Sequence, residues 1–364
     1  MALRSVIVRR MSEGLHDDDP GVQLLGRAVA SADPDRLVLV HCGDLPGVRG
    51  RPARLVLDVR ECDGARSRIV RADDDAAIAA LSGMQHAAVW PRAHLGKDFS
   101  FACLALGARA LGPGGKLWCS VRKAKGAESL GDFMVALLGN VDVVEREQGY
   151  RLLCSVREDG FDAGRAAEAI GLRHEICDEA LPGVVLQSAP GVFSRRGLDD
   201  GTRALIEHVA AWCDATGAAV HRVVDLCAGI GPLAIWAARR FLDAHVLAVE
   251  SNMIATRLAA DNATAAGVGA RVHVALHDGM PTASPAGSIA PGSVELALVN
   301  PPTHAAAEDL VALFAGLRPW MASGGSAFAV VSRGGVSTRG LKAAGAAVEE
   351  HRAGAYTILH GRWA

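Results

Sequence analysis

The chain has 364 residues, half of them hydrophobic, and a formal charge of −2 from 38 Lys and Arg against 40 Asp and Glu. A balance this even gives no global field for gathering polyanions, and no apolar run is long enough to span a bilayer. At roughly 150 residues per domain the length predicts two domains. The eight cysteines are scattered and form no C-x-x-C pair, so neither a zinc ribbon nor a thioredoxin-like site is indicated. No metal is expected. Reduced thiols in a cytoplasmic protein are the expectation. Arg4, Arg9 and Arg10 are followed by no apolar core and soon by Asp17 to Asp19, so a targeting peptide is not expected.

In chain order, a helix is predicted around Val22 to Ala32, strands at Leu37–His41 and Leu55–Val59, a helix over 73–82 and a strand at Ala87–Trp90. A helix at Phe99–Leu111, a turn at Gly112-Pro113-Gly114-Gly115 and strands at Leu117–Val121 and Arg151–Val156 follow. Residues 157–190 change to charged and turn-forming types, with one helix at Ala163–Ile170 and an extended stretch at Val184–Gln187. A linker is placed at 161–188, between a domain over 1–160 and another over 189–364.

The second half is more regular. Thr202–Thr216 reads as an amphipathic helix, and seven strands are predicted at Val223–Leu226, Val246–Glu250, Val272–Leu276, Val294–Val299, Ala327–Ser332, Val348–His351 and Tyr356–Arg362. Helices are expected between them, notably at Asn252–Ala266 and Ala305–Trp320. The alternation predicts an α/β fold with a mostly parallel sheet, the last pair of strands free to form an antiparallel hairpin.

An internal echo runs through the chain. Trp90-Pro91 lies 24 residues before Gly114, and Asn300-Pro301 lies 24 residues before Gly324. Each diglycine is followed by a strand and later by Tyr150 or Tyr356. The chain reads as two copies of one α/β unit, the first degenerate. From Cys42 to Trp90 are 48 residues, against 75 from Asp225 to Asn300. The first copy also lacks the glycine-loop spacing and carries Trp90 in place of Asn300.

The second copy carries chemistry at its strand ends, where ligands bind in a doubly wound sheet. Val223 to Gly231 is a strand passing into the loop D-x-x-x-G-x-G, with Asp225, Gly229 and Gly231. Glycine lets backbone approach a ligand, and the helix opening at Pro232 supplies free N–H groups. Glu250 ends the next strand and can accept from ribose hydroxyls. Asp278 follows the third and can accept from an adenine amine. Asn300-Pro301-Pro302 follows the fourth. There a side-chain carbonyl and a proline carbonyl can together hold an exocyclic amine.

Residues 220–330 resemble a class I S-adenosylmethionine-dependent methyltransferase with the N-P-P-[FY] motif of amino-group methylases. The segment from Ala189 to Thr202 is similar to the pre-domain segment of the bacterial small-subunit ribosomal RNA guanine-N2 methyltransferases and their large-subunit relatives. The resemblance implies two tandem Rossmann-like methyltransferase domains, the N-terminal one without cofactor. It implies S-adenosylmethionine as cofactor, bordered by Asp225, Gly229 and Gly231. Glu250 would hold the ribose and Asp278 the adenine amine, while Phe193, Gly201 and Thr202 would close over the methionine end. Asn300, Pro301 and Pro302 would form the catalytic corner, with Asn300 also beside the cofactor, and Thr303 and His304 would face the substrate.

The expected activity is N-methylation of guanine N2 in ribosomal RNA, with RNA as partner. Thr303 departs from the family, which has Phe or Tyr there to stack on the target base. A small-molecule amine or another RNA therefore stays open as substrate, and so does a catalytically silent RNA- or protein-binding module. Between Ala87 and Ala127, Arg92, Lys97, Arg109, Lys116, Arg122, Lys123 and Lys125 stand against Asp98. Such a window could follow phosphates, and the domain over 1–160 is a possible RNA-binding element.

Overall fold

The structure is a computed structural model that describes residues 18–62, 67–283, 289–303 and 305–364. The described chain divides into an N-terminal unit, which runs to Arg173 and takes back Ala189–Gly191, and a C-terminal unit over His174–Ser188 and Val192–Ala364. The expected linker at 161–188 is not a linker. Its first half is a helix of the N-terminal unit and its second half a hairpin of the C-terminal unit, because both segments carry apolar residues that must be covered: Ala166, Ile176 and Leu186 are buried.

In the N-terminal unit the elements are α1 (Pro20–Val29), β1 (Leu37–Val40), β2 (Ala53–Val56), β3 (Arg68–Arg71), α2 (Asp75–Ala79), β4 (Met84–Val89) and α3 (Lys97–Ala110). Then come β5 (Leu111–Arg122), α4 (Ala127–Leu138), β6 (Asp142–Glu147), β7 (Tyr150–Val156) and α5 (Ala163–Gly171). The sheet order is β3-β2-β1-β4-β5-β7-β6.

The C-terminal unit opens with the hairpin β8 (His174–Cys177) and β9 (Val185–Ser188), then α6 (Asp200–Thr216), β10 (Arg222–Leu226), α7 (Pro232–Arg240), β11 (His245–Glu250), α8 (Met253–Ala265) and β12 (Val272–Leu276). It ends with β13 (Val294–Val299), α9 (Ala307–Ala315), β14 (Met321–Val331), α10 (Gly335–Ala343), β15 (Ala347–Ala353) and β16 (Tyr356–Arg362). Its sheet order is β12-β11-β10-β13-β14-β16-β15, the same as in the first unit. In both sheets the last strand in sequence, β7 or β16, runs antiparallel to both of its neighbours, and every other pair is parallel.

The parallel strands read as apolar runs because helices cover both faces. In β10 every residue after Arg222 is buried, Asp225 included. Capping side chains set the helix starts. Asp199 caps α6 by accepting from the Thr202 N–H, and Asn252 caps α8 by accepting from Ile254 and Ala255. The helix expected over Ala305–Trp320 is shorter, ending at Ala315. Gly316 follows it and Pro319 stands just beyond, and neither residue favours continuation.

The diglycines are not plain turns. Each lies inside a long strand, β5 or β14, at a shift of register against the neighbouring strand. Gly114 and Gly324 take φ of 75° and 77°. A Cβ on Gly115 would lie 2.8 Å from the Met84 carbonyl oxygen, and one on Gly325 would lie 2.9 Å from that of Val294. The same glycine bulge thus recurs at matching places in the two units.

Candidate functional site

The tips of β10, β11 and β13 lie side by side, with Leu226 opposite Val249 on one flank and Val299 on the other. The chain leaves β10 through Cys227, which has φ of 65°, and turns into α7 at Gly231, which has φ of 89°. Glu250 draws this loop to the end of β11. Its Oε2 accepts from the Gly229 N–H at 2.8 Å, and its Oε1 accepts from the Ser251 and Asn252 N–H groups, each at 2.8 Å. A Cβ built on Gly229 meets nothing within 4 Å, so the loop faces open space.

Asp225 lies beneath the loop rather than on its ligand side. It is fully buried, and its Oδ2 accepts from the Ala234 N–H at 2.9 Å. Oδ1 has no hydrogen-bond partner among the described residues. Burial, and then the charge of Glu250 acting against the Ala234 hydrogen bond, push this carboxyl up to about 8. Asp225 thus clamps the glycine loop to the first turn of α7. Gly231 likewise shapes the helix entry, where a Cβ would lie 3.3 Å from that of Ala259.

In front of the loop is a crevice with about 460 Å³ of non-atom space, counting its open mouth. Of the residues singled out in the sequence, Phe193, Thr202, Gly229 and Asn300 line it. Phe193 is 60% exposed. Gly201 serves packing: a Cβ there would lie 2.9 Å from Asp199 Oδ2 and 3.3 Å from the Tyr356 ring. Asp278 stands exposed just past β12. The His277 N–H before it donates to the Glu250 carbonyl at 2.9 Å, which keeps the two strand ends together. Pro301 is buried, Pro302 and Thr303 are exposed, and His304 lies outside the described residues.

Asn300 is held from one side. Its Nδ2 donates to Asp199 Oδ2 at 3.0 Å and to Thr202 Oγ1 at 2.9 Å. Sequence reasoning missed Asp199, whose capping position hides a second role, and missed Ile176 and Leu186, which the β8–β9 hairpin brings to the crevice wall. The signal for the hairpin was present in the extended stretch at Val184–Gln187, but its assignment to a linker concealed the use. Glu349, His351 and His360 on the last hairpin have potential ligand atoms within 4.8 Å of one another. None of them lines the crevice, and Glu349 is paired with Arg362.

The equivalent tips of the N-terminal unit are filled. Val40 pairs with Leu55 and Val89 as Leu226 pairs with Val249 and Val299. On this register Leu39 stands for Asp225, His41 for Cys227, Val56 for Glu250 and Trp90 for Asn300. His41 even repeats the left-handed backbone, with φ of 51°. Over these tips Arg92 pairs with the buried Glu61 at 2.9 Å, and Arg54 lies 3.8 Å from the same carboxylate. Arg92 Nε donates to the His41 carbonyl and Arg54 Nε to that of Cys42, both at 3.0 Å. Burial, with Arg92 and Arg54 close by, lowers His41 to about 3. The cationic window also comes apart. Arg92 is engaged with Glu61, Arg122, Lys123 and Lys125 lie at or just past the end of β5, and Arg109 lies in the last turn of α3.

The shared strand order and the glycine-loop crevice define a class I methyltransferase fold, present twice. Residues 183–360 match the family model described as "Methyltransferase small domain". A ribosomal RNA large subunit methyltransferase G from Streptomyces griseus is 33% identical over 168 residues, covering 44% of this chain and 41% of that protein. A ribosomal RNA small subunit methyltransferase C from Pseudomonas entomophila is 32% identical over 152 residues, covering 42% and 41%. The chain thus spans less than half the length of these curated relatives. A T. thermophilus 16S rRNA N2 methyltransferase, solved with AdoMet and guanosine, superposes with a TM-score of 0.76 at 22% identity, over 95% of this chain and 92% of that one. That likeness shows the fold through both units. No described helix is long and apolar enough to cross a membrane.

Proposed function

We propose that the C-terminal unit transfers a methyl group from S-adenosylmethionine to an exocyclic amine, with guanine N2 in ribosomal RNA as the substrate. The observation that carries this reading is the orientation of Asn300. Its amide nitrogen is taken up by Asp199 and Thr202, so its carbonyl oxygen is the atom left to accept from a target N–H. The names of the curated relatives and of the solved structure support the RNA substrate.

The residues fit the cofactor. Open space before Gly229, the Glu250 carboxylate that gathers the loop and the exposed ring of Phe193 together suit a nucleoside with an apolar-flanked tail. Bound there, S-adenosylmethionine would supply an electrophilic sulfonium methyl. Asn300 and the Pro301 carbonyl would accept the amine hydrogens and turn the nitrogen lone pair toward the methyl. Alignment of the reacting atoms is the main lever for such a transfer. A base within folded RNA would be splayed out to reach this corner. Thr303 offers no ring to stack on it.

The test is mass spectrometry of RNA nucleosides from cells with and without the chain. N2-methylguanosine should fall in its absence. If it persists while salt-insensitive methylation of a small amine is found in vitro, the second reading, a small-molecule enzyme with Thr303 at its mouth, replaces the first.

A further inference from the structure

Asp199 does more than cap a helix. Aspartates also cap α1, α2 and α5, as Asp19, Asp74 and Asp162, and none of these reaches a candidate site residue with the capping carboxylate. In Asp199 a single oxygen, Oδ2, accepts both the Thr202 N–H and the Asn300 Nδ2–H, each at 3.0 Å. The other Nδ2 hydrogen goes to Thr202 Oγ1 at 2.9 Å. An ionised carboxylate only accepts. The Asn300 amide therefore has one permitted orientation, nitrogen toward Asp199 and oxygen away from it. Asp199, Thr202 and Asn300 all line the crevice, and Asp199 directly follows the Phe193–Leu198 segment that walls it. Gly201 is the residue that leaves this carboxylate room.

We infer that Asp199 is a positioning residue for methyl transfer: through its hydrogen bond it locks the Asn300 amide so that its carbonyl oxygen is held ready to accept from the target amine. The inference rests on the proposed transfer to an amine. It has a second consequence. The Asp199 carboxylate makes this corner specific for Asn at position 300, since Asp there would place two carboxyl groups at hydrogen-bond distance, which must part or share a proton in place of the amide bond.

Three variants separate positioning from capping. Ser, Asn and Asp are near-equal N-caps, so Asp199→Ser keeps the α6 cap but is too short to reach Asn300. Transfer is measured with labelled S-adenosylmethionine and unmodified ribosomal RNA. Asp199→Ser should lower kcat about 100-fold, the scale of a small misplacement of reacting groups, with cofactor KM and thermal stability unchanged. Asp199→Asn, whose carbonyl still accepts, should stay near wild type. Asn300→Asp should lose activity as deeply as Asp199→Ser.

The side-chain amide signal of Asn300 in nitrogen-15 spectra gives a reading independent of activity. It should be single and slow to exchange in the wild type and averaged in Asp199→Ser. Full activity in Asp199→Ser, loss of activity in Asp199→Asn, or an unchanged amide signal in Asp199→Ser would each overturn the inference. A wild-type chain that methylates no amine yet shows the locked signal would instead sink the proposed function and leave the lock standing.

Discussion

In the N-terminal unit β1 passes to β2 through a loop with no helix, whereas in the C-terminal unit β10 passes to β11 through α7. Both sheets keep all seven strands in one order. What differs is the layer above the tips. The C-terminal unit keeps the helix entry that presents N–H groups, together with the acid that gathers the loop. The N-terminal unit replaces Glu250 with Val56 and gathers Arg54, Glu61 and Arg92 against the His41 and Cys42 carbonyls just past β1. A sheet is held by its interior, so it outlasts the loss of a site at its edge.

The largest expected effect lies in the filled unit. Glu61→Ala would leave Arg54 and Arg92 without their shared carboxylate, and removing one partner from a buried charge cluster costs about 4 kcal/mol. Urea unfolding should show that loss while cofactor binding in the other unit stays intact. A loss under about 1 kcal/mol would mean that the cluster is well solvated. Next comes Glu250→Ala, which removes the anchor of the glycine loop together with the ribose acceptor. Hydrogen bonds to charged groups contribute roughly 1.5–3 kcal/mol each, so S-adenosylmethionine should bind on the order of 100-fold more weakly by calorimetry. Unchanged affinity would remove Glu250 from the site.

The smallest effect concerns Asp225. Its carboxyl is raised from 3.8 to about 8 by burial, with Glu250 adding to the shift. The folded state then binds a proton that the unfolded state releases, so this contribution to stability is complete below pH 3.8 and is lost as pH rises through about 8. Asp225→Asn keeps an acceptor for the Ala234 N–H and cannot titrate. Its melting temperature should fall less steeply across that window than the wild type's. Parallel profiles would mean that Asp225 is ionised throughout.

Much of this was legible in the sequence. The strands of the second half were readable because parallel strands covered on both faces appear as apolar runs. The duplication was readable because the diglycine is fixed by a backbone approach that only glycine permits. β3, α4 and β6 were harder. β3 and β6 are edge strands in which at least half the side chains are exposed, and Arg68 or Glu145 can stand there without cost. Asp199 was hidden for another reason. Its bond to Asn300 joins residues 101 apart in the chain, and a capping aspartate looks the same in sequence whether or not it reaches a second partner. The Arg92 and Glu61 pair was hidden likewise, and Arg92 was read instead as one cation of a surface patch.

The most direct test is to count and locate the cofactor. Radiolabelled S-adenosylmethionine, measured by equilibrium dialysis and then photo-crosslinked, should bind once per chain and label only peptides from Phe193 to Asn300. Two equivalents per chain, or label on peptides carrying His41 or Trp90, would contradict the account.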